Sequence, residues 1–478
     1  MTIERLDERT MTAAAARRPG YDRAAIRRGV VHLGLGAFAR AHLAEYLDDL
    51  AGLGESGLGL VGVSLRSDDV RRALGPQDGL YVVGAVSGAA IDPRIVASVL
   101  EVLHAPSQAA EVRAALASPD ISIVTITVTE KGYCWEPSTR RLDVTHPDIE
   151  HDLADPSAPR TLVGLLVRAA ADRRAHGTGG FTALSLDNLP ANGTTLRSVV
   201  LEFAARTDPT LPEWIEEFVR FPCSMVDRLV PATDDTFRQR IDATVGVHDA
   251  WPVRCEPYKQ WVVETDWAGP IPPLAEVGVA FVDDVAPWET LKLRVLNGMH
   301  TAAAHYGLRH GLTTVDQVVA SAAGRDLLER VAREVTPVLA APAGVDPVAY
   351  AQTTLSRFSN AALGHRCDQI ANDTSQKLPQ RLLETVRARY AKGLAVDAIA
   401  EVLALWAWST LGLDSDGAPR EIRDPLVTVF AEIASTRGSD PSAWVAQLLS
   451  IESIFGDLAG NAALAAAMVG HLAPLMAG

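Results

Sequence analysis

Hydrophobic and polar positions follow two different patterns along the chain. From about residue 28 to residue 192, short apolar runs rich in β-branched residues alternate with amphipathic stretches. The runs are VVHLGLG, LGLVGVSL, ISIVTITVT and FTALSL, and the stretches include AHLAEYLDDL and TLVGLLVRAAADRRAHG. Strand, helix and strand in succession predict an α/β fold, with a Rossmann-like, doubly wound parallel sheet that is covered on both faces.

The second pattern begins past about residue 285, where the pattern typical of strands ends. Apolar residues there recur every three to four positions, as in DLLERVAREVTPVL, LPQRLLETVRARYAKG, DAIAEVLALWAWSTLG and AWVAQLLSIESIF. This periodicity predicts helices. The last strand of the first domain is expected in PPLAEVGVAFVDD. We therefore predict two domains, a Rossmann-like domain over residues 1–285 and a mostly α-helical domain over residues 286–478.

Composition narrows the kinds of partner. The 478 residues carry a formal net charge of -15 and no block of lysine or arginine, which argues against nucleic acid and against an anionic membrane surface. The C-terminal NAALAAAMVGHLAPLMAG is alanine-rich and interrupted by His471 and Pro474, so we expect a docked helix and no membrane span. No apolar run of signal-peptide length follows Arg17 and Arg18, and the expected location is the cytoplasm.

The cysteines give no sign of a disulfide framework or a zinc site. Cys134, Cys223, Cys255 and Cys367 stand far apart, with no CxxC motif. Reduced thiols are the simpler interpretation. Since no cluster of cysteine and histidine has the spacing of metal ligands, no metal is predicted.

A glycine-containing turn follows the first predicted strand. Gly34, Gly36 and Ala39 form the order G-x-G-x-x-A directly before a predicted helix. The first glycine permits a tight turn, the second allows close approach of a pyrophosphate, and the small third residue lets the helix pack on the strand. A turn without a ligand would carry the same glycines, but the strand–turn–helix context favours dinucleotide binding.

The second predicted strand runs into the residues that would select the cofactor. Asp68 and Asp69 follow it, and an acidic residue at this place binds the adenosine ribose and repels a 2′-phosphate. They favour NAD over NADP. Two alternatives stay open, because Arg66 could bind a phosphate instead and either aspartate could serve as a helix cap.

Polar residues also follow two later strands and one helix. ISIVTITVT runs into Glu130 and Lys131, and FTALSL runs into Asp187 and Asn188, where Asn188 could equally be a turn residue. Ligands of doubly wound sheets bind outside the carboxyl ends of the strands.

The segment LKLRVLNGMH places Lys292, Asn297 and His300 within an arc of about 140° on a regular helix. Hydride transfer at a carbon that bears oxygen needs a proton acceptor and donors for the developing alkoxide. Lys292 could act as the base and Asn297 and His300 as the donors. A solvated surface helix could carry the same three residues without a purpose.

Several of these motifs together resemble the mannitol dehydrogenase family, the zinc-independent polyol dehydrogenases that include fructuronate reductases. The resemblance covers nearly the whole chain. It is carried by HLGLGAFARAH, GVSLRSDD, PQDGLY, TVTEKGYC, SLDNLPANG, FPCSMVDRLVP, CEPYKQWVVE, LKLRVLNGMH, RFSN and SQKLPQR.

The resemblance implies roles for particular residues. Lys292 corresponds to the catalytic base, Asn188 and Asn297 to the pair that polarises the reacting oxygen, and His300 to their companion. Asp69 matches the acidic residue that contacts the adenosine ribose in NAD-preferring members. The family's substrate pocket is matched by Val226, Asp227 and Lys377. The family fold places the active site between its two domains, and its long-chain members are often monomers.

The chain also departs from the family pattern. Ala39 stands where members commonly carry a histidine, and Gln369 where some mannitol-oxidising members carry an arginine. The cations Lys131, Arg366 and Arg381 would suit a carboxylate substrate, but they could equally form salt bridges at a domain interface. We therefore predict an NAD-dependent oxidoreductase for a small molecule, with D-mannitol and D-fructose as its first substrate pair. The alternative is a D-fructuronate reductase, and a non-catalytic NAD-binding protein is a third interpretation.

Overall fold

The computed structural model of the protein describes residues 3–136, 139, 141–437 and 440–477. The chain divides into two compact units, Met1–Ala286 and Pro287–Gly478. Each unit has its own hydrophobic core.

The first unit contains all the strands among the described residues. They are β1 (Arg28–Leu33), β2 (Gly59–Ser64), β3 (Tyr81–Ser87), β4 (Ala90–Val96), β5 (Val99–His104), β6 (Ile123–Ile126), β7 (Trp135–Glu136), β8 (Arg141–Leu142), β9 (Thr182–Ser185), β10 (Ser224–Asp227), β11 (Val253–Cys255), β12 (Gln260–Glu264) and β13 (Ala280–Val282). The main sheet has the order β5-β2-β1-β6-β9 and all its pairings are parallel. Small sheets are formed by β10-β12-β13, β11-β3-β4 and β7-β8.

Helices connect these strands. The α-helices are α1 (Ala37–Ala41), α2 (Leu43–Gly52), α3 (Asp69–Leu74), α4 (Ala109–Ala117), α5 (Pro147–Ala154), α6 (Leu162–His176), α7 (Asn192–Thr207), α8 (Leu211–Phe218) and α9 (Asp235–Val245). Short 3₁₀ turns occupy Met11–Ala13, Arg23–Ala25, Gly75–Gln77, Glu130–Tyr133 and Leu274–Val277. Helix α6 ends as its sequence predicts, because Gly177 follows it with a φ of +64°, a left-handed conformation that glycine adopts freely.

Alternate residues of the central strands enter two separate cores. Val31 and Leu33 of β1 belong to a cluster that includes α4, α6 and α7. Val30 belongs to a second cluster, which includes α2 and residues of the smaller sheets. Since successive side chains of a strand point to opposite faces, the sheet is covered on both sides. The predicted doubly wound sheet is confirmed.

One part of the first unit differs from the predicted alternation. Residues 81–104 form three successive strands, β3, β4 and β5, where a simple strand–helix order would place none in succession. β3 and β4 pair antiparallel and join β11, while β5 becomes an edge strand of the main sheet. The sequence pattern missed these strands because they form a local hairpin and an edge instead of a further strand–helix repeat.

The second unit is mostly helical and contains no named strand among its described residues, as predicted. Its helices are α10 (Ala286–Leu291), a π-helical segment (Lys292–Asn297), α11 (Gly298–Arg309), α12 (Val315–Ala320), α13 (Ala322–Val335), α14 (Pro347–Phe358), α15 (Cys367–Ile370), α16 (Thr374–Leu378), a second π-helical segment (Pro379–Leu383), α17 (Glu384–Tyr390), α18 (Asp397–Ser409), α19 (Val427–Arg437), α20 (Pro441–Leu449), α21 (Glu452–Phe455) and α22 (Ala462–Ala477). Short 3₁₀ turns lie at Thr336–Val338, Ala361–Leu363 and Gly456–Leu458.

The core of the second unit forms around α18. This helix is buried almost throughout and packs against α11, α13, α20 and α22. The C-terminal α22 contributes Leu464, Met468 and Leu472 to the same core. By length and composition, no single helix of the described residues could cross a membrane, and only the bent pair Glu452–Leu458 and Ala462–Ala477 passes that test jointly.

Candidate active site

The turn after β1 depends on one glycine for its shape. Gly34 has a φ of +96°. A Cβ atom at this position would lie 2.1 Å from the carbonyl oxygen of Thr127, at the end of the neighbouring β6. No side chain fits there, so a glycine is required at Gly34 for folding itself.

Gly36 has a different reason to be glycine. It lies in an extended conformation that any residue adopts, with φ of -94° and ψ of -169°. A Cβ atom here would meet only the Gly34 carbonyl oxygen, at 3.8 Å. Since no other atom of the described residues lies within 4 Å of that position, Gly36 leaves room for the close approach of a ligand.

The helix after the turn is shorter than the sequence pattern predicts. α1 has five residues and breaks at His42, where φ is -120° and ψ is -79°. Ala39 lies in α1 and is fully buried in the core. The small third residue therefore serves packing, as predicted.

His32 stabilises the glycine turn through the hydrogen bonds of its side chain, a role that the sequence analysis missed. It is fully buried, and its Nδ1 is hydrogen-bonded to Thr125 Oγ1 at 2.8 Å and its Nε2 to Thr127 Oγ1 at 2.9 Å. Thr127 Oγ1 also donates to the Gly34 carbonyl oxygen at 2.8 Å. Burial lowers the pKa of His32 to about 4, so the ring is neutral and joins β1, β6 and the turn.

Asp187 holds the loop after β6. Its carboxylate accepts hydrogen bonds from the backbone N–H groups of Val128 and Thr129 and, at 2.8 Å, from the Tyr133 hydroxyl. Burial raises the pKa of Asp187. Thr129 has a φ of +67°, a strained conformation that these contacts stabilise. The two polar clusters predicted at adjacent strand ends are thus joined through Asp187.

Asn188 lies beside Asp187, in an exposed bend after β9. The bend is fixed at its far side by Asn192, whose Nδ2 donates to the carbonyl oxygens of Asp187 and Ser224 and whose Oδ1 accepts from the Ser224 N–H. These bonds tie the start of α7 to β10. They give Asn188 a defined backbone.

A cavity of about 400 Å³ opens at the carboxyl ends of β1, β2 and β6. Its volume lies in the range of small-molecule and cofactor sites. Three cations contribute to its wall, and within the described part of the chain none of them forms an ion pair. Gly34 and Gly36 also line it, where the missing side chains leave room for a ligand, and since three cations and one carboxylate, Asp148, contribute to the wall, its charges fit the pyrophosphate of a dinucleotide. The lining includes Gly34, Gly36, Ser64, Arg66, Ser67, Val70, Thr127, Lys131 and Arg160.

Asp68 and Asp69 are not among the residues that line this cavity. Arg71 donates from Nε and a terminal nitrogen to the Asp68 carboxylate at 2.6 and 2.7 Å, and these contacts lower the pKa of Asp68. Asp69 begins α3 and accepts a hydrogen bond from Ser67 Oγ at 2.5 Å. Both predicted ribose ligands therefore engage their own neighbours.

In the second unit, Lys292 and Asn297 are the first and last residues of a π-helical segment between α10 and α11. Lys292, Asn297 and His300 are only 9%, 8% and 7% exposed, so the interpretation as a solvated surface helix is wrong. The predicted regular helix is interrupted here. In a π turn the hydrogen bonds join residues five apart, which brings Lys292 and Asn297 closer on one face than an α-helix would.

Gly298 allows this segment to meet the second π-helical segment, Pro379–Leu383. The two segments pack against each other. A Cβ atom at Gly298 would lie 3.2 Å from the Arg381 carbonyl oxygen, which is tighter than most such contacts. π turns occur frequently at functional sites, and this region of the second unit contains two in contact.

The His300 ring has an unused hydrogen-bonding atom. It stacks on Phe358, with ring centroids 4.1 Å apart, and its Nε2 is buried without a partner among the described residues. Burial lowers the pKa of His300 well below its usual value, and the nearby charges of His365, Arg381, Arg357 and Lys377 lower it further. A neutral imidazole results, which can donate to an oxygen of a ligand.

Asn297 repeats this pattern on the same helix. Its Oδ1 is buried and has no hydrogen-bond partner in the described part of the chain. Buried polar atoms without partners are rare in folded proteins because each destabilises the fold by about 1–3 kcal/mol. Two such atoms, three residues apart and near a buried lysine, fit a site for a hydroxylated or carbonyl-bearing ligand.

The remaining predicted substrate residues lie in both units. Val226 and Asp227 are buried on β10 in the first unit. Lys377, on α16 of the second unit, donates to the carbonyl oxygens of Ile370, at 3.3 Å, and Asn372. These bonds hold the lysine against its own helix start.

The three cations predicted to suit a carboxylate have different surroundings. Arg366 pairs with Asp368 at 2.6 Å on an exposed surface, and Arg381 donates to Thr301 Oγ1 at 3.1 Å. Lys131 lines the cavity of the first unit. Among the residues that the structure describes, no group of three or more histidine, cysteine, aspartate or glutamate side chains could hold a metal ion.

Two domain profiles of one protein family match most of the chain. The sequence profile of the mannitol dehydrogenase Rossmann domain matches residues 28–275, and that of the mannitol dehydrogenase C-terminal domain matches residues 284–476. The D-mannonate oxidoreductase of Escherichia coli is 40% identical over 92% of this chain and 91% of its own length. The mannitol 2-dehydrogenase of Pyricularia oryzae is 36% identical over 93% and 90%.

Solved structures show the same likeness. The mannitol 2-dehydrogenase of Pseudomonas fluorescens, in a ternary complex with NAD and D-mannitol, has a TM-score of 0.85 and 35% identity, covering 99% of this chain and 96% of that one. A D-sorbitol dehydrogenase has a TM-score of 0.91 and 29% identity, covering 99% and 100%.

Proposed function

The chain belongs to the mannitol dehydrogenase family, and from this premise we propose that it is an NAD-dependent oxidoreductase for an open-chain polyol or sugar acid. The reaction interconverts a secondary alcohol and a ketone at C2. One observation carries the proposal: a buried lysine on a π turn is followed by two buried polar atoms without partners, Asn297 Oδ1 and His300 Nε2. A helix that only served packing would be more stable with apolar side chains at these positions.

The proposed chemistry assigns a proton acceptor to the second unit. In oxidation, Lys292 Nζ takes the proton of the reacting hydroxyl group, and in reduction it returns the proton to the oxygen. The Asn297 Nδ2 group and the neutral His300 ring donate hydrogen bonds to that oxygen as its negative charge develops, and Asn297 Oδ1 can accept from a substrate hydroxyl group. Asn188 of the first unit is proposed as a further polarising amide, on the basis of the family resemblance.

The first unit is proposed to hold the cofactor. NAD, when bound, accepts the hydride in oxidation and supplies it in reduction. The turn at Gly34 and Gly36 would let the pyrophosphate approach the backbone closely, and Ala39 keeps the turn packed on the sheet. Asp68 and Asp69 are proposed to lie near the adenosine ribose, as in other folds of this type.

The first substrate pair is D-mannitol and D-fructose. Two of the similar proteins named above are mannitol 2-dehydrogenases. A linear polyol needs a partner for each hydroxyl group, since one left unpaired would lower its affinity. Val226, Asp227 and Lys377 are proposed to line the pocket for the rest of the chain of hydroxyl groups.

The second candidate is a sugar acid, interconverting D-mannonate and D-fructuronate. The four nearby charges that most affect His300 are all cationic, namely those of His365, Arg381, Arg357 and Lys377. A positive potential at the substrate oxygen site would favour a carboxylate. The E. coli relative with this activity in its name supports the same candidate.

A substrate panel tests the proposal and separates its candidates. Purified protein with NAD is given mannitol, sorbitol, arabinitol, mannonate and altronate, and absorbance is followed at 340 nm. We expect turnover of mannitol. Turnover of mannonate alone would replace the first candidate by the second and keep the mechanism. If no polyol or sugar acid reacts while NADH still binds, the protein is a non-catalytic NAD-binding protein and the proposal is wrong. A monomeric state and a cytoplasmic location stay predictions.

A further inference from the structure

We infer that Arg66 binds the 2′-phosphate of NADP, so that the protein accepts both NAD and NADP. This inference rests on the proposed dinucleotide site, because it assigns one end of that site. It concerns selectivity at the adenosine ribose and does not involve the reacting carbon.

Arg66 lies just after β2, in the wall of the same cavity as the glycine turn. β2 lies next to β1 in the main sheet, with Val63 opposite Leu33 directly before the glycine turn. Arg66 follows the end of β2 by two residues and lines the same cavity as Gly34 and Gly36. In sheets of this type the residues after the second strand meet the adenosine ribose, where an acid selects NAD and an arginine accommodates the 2′-phosphate.

The neighbouring carboxylates, Asp68 and Asp69, already have basic partners. Asp68 receives two hydrogen bonds from Arg71, and Asp69 has Arg72 at 3.7 Å and Ser67 Oγ at 2.5 Å. Each aspartate thus has an arginine of α3 beside it. Their charges are compensated, which weakens the repulsion that would otherwise exclude a 2′-phosphate.

Arg66 has no such compensation. In the part of the chain that the structure describes, no carboxylate lies within ion-pair distance of it. The segment that carries it is anchored, because His104 Nε2 is hydrogen-bonded to the Arg66 carbonyl oxygen at 3.1 Å. Its charge acts within the cavity, since it opposes the burial that raises the pKa of Cys134, another lining residue, to about 11.

Because of its position and its uncompensated charge, Arg66 can bind the additional 2′-phosphate of NADP. A guanidinium can bind a phosphate through two parallel hydrogen bonds. NAD can still bind, because the ribose hydroxyl groups can accept from Arg66 or donate to nearby oxygen atoms. The arrangement therefore predicts weak discrimination between the two cofactors and no strict preference for NADP.

Calorimetric titration of the full-length protein tests the inference without turnover. The ligands are NADH and NADPH, and then adenosine 5′-monophosphate and adenosine 2′,5′-bisphosphate, which differ only in the 2′-phosphate. We expect the dissociation constants of NADH and NADPH to lie within about tenfold of each other, and the bisphosphate to bind at least as tightly as the monophosphate.

A matched pair of variants then locates the effect. Arg66→Ala should raise the dissociation constant of the bisphosphate, relative to that of the monophosphate, by about tenfold. Arg27→Ala removes the same charge from an exposed residue of the first unit that precedes β1 and does not line the cavity, and the ratio should stay within about threefold of wild type.

Three results would count against the inference. NADH binding with NADPH about a hundredfold weaker or more would overturn it alone, since the carboxylates would then exclude the phosphate. Equal effects of the two substitutions would show a general field and no contact at Arg66. Failure of NADH and NADPH both to bind would overturn the proposed dehydrogenase function together with the inference.

Discussion

The glycine turn of the first unit and the π-helical segment of the second treat their buried polar groups in opposite ways. Around the turn, His32 and Asp187 are buried and each is hydrogen-bonded on several sides by the protein itself. On the π-helical segment and the helix after it, Asn297 and His300 each retain a buried polar atom without a partner in the described chain.

The buried polar groups of the first unit hold a loop in place, whereas those of the second unit keep atoms that can hydrogen-bond to a ligand. The bonds of His32 and Asp187 fix the shape of a loop that presents backbone atoms, so the site of the first unit is formed before any ligand arrives. Asn297 and His300 reduce stability until something binds, because each unsatisfied buried group costs about 1–3 kcal/mol. The large helical core of the second unit can tolerate that loss.

The largest expected effect concerns the lysine of the π-helical segment. Lys292→Ala should lower turnover by about a thousandfold or more, because it removes the proposed proton acceptor. NADH affinity should change by less than about threefold, since the cavity proposed for the cofactor is lined by the first unit. Steady-state rates and calorimetry measure the two quantities.

The exposed Lys392 of the same unit provides a control, and Lys392→Ala should keep wild-type rates. Partial recovery of the Lys292→Ala variant by added methylamine would support the role of a base. A Lys292→Ala enzyme that keeps most of its activity would remove this residue from the mechanism.

The next effect tests the contrast in hydrogen bonding directly. Asp187→Ala leaves two backbone N–H groups and the Tyr133 hydroxyl without their acceptor and should lower the free energy of unfolding by about 3 kcal/mol. Asn297→Ala removes an acceptor that has no donor, so the free energy of unfolding should change by less than about 1 kcal/mol. Urea unfolding, followed by tryptophan fluorescence, measures both.

The effects of these two substitutions on activity should have the opposite order from their effects on stability. Asn297→Ala should lower kcat/KM by about a hundredfold, because it removes the proposed Nδ2 donor to the reacting oxygen together with the unpaired Oδ1. Equal loss of stability in the two variants would mean that Asn297 is a structural residue, and the contrast between the units would not hold.

The smallest expected effect separates the two glycines of the turn. Gly34→Ala places a methyl group against the Thr127 carbonyl oxygen at a positive φ and should destabilise the fold by about 2 kcal/mol or more. Gly36→Ala meets no such contact, so stability should be unchanged while NADH binds about tenfold more weakly. Normal NADH affinity in a stable Gly36→Ala variant would contradict the proposed pyrophosphate contact.

Much of the fold was predictable because it depends on local periodicity. Alternating strands and helices, the glycine turn and the helical second half all follow from residues close together in the chain. The strands at 81–104 were missed, since their hairpin breaks that alternation. The compensation of Asp68 and Asp69 was also missed, although Arg71 and Arg72 are only three residues away, because spacing alone does not show which charges a side chain will meet.

The sequence by itself determined the class of fold, the order of its two halves and the residue types that a dehydrogenase of this family needs. Only the tertiary structure decided which buried groups are satisfied. Asp187 meets Val128 across 59 positions of the chain, and His32 meets Thr127 across 95, so no local pattern reports these bonds. The π turn at Lys292 was not predictable either, since a single π turn within a longer helix leaves the apolar spacing on either side unchanged.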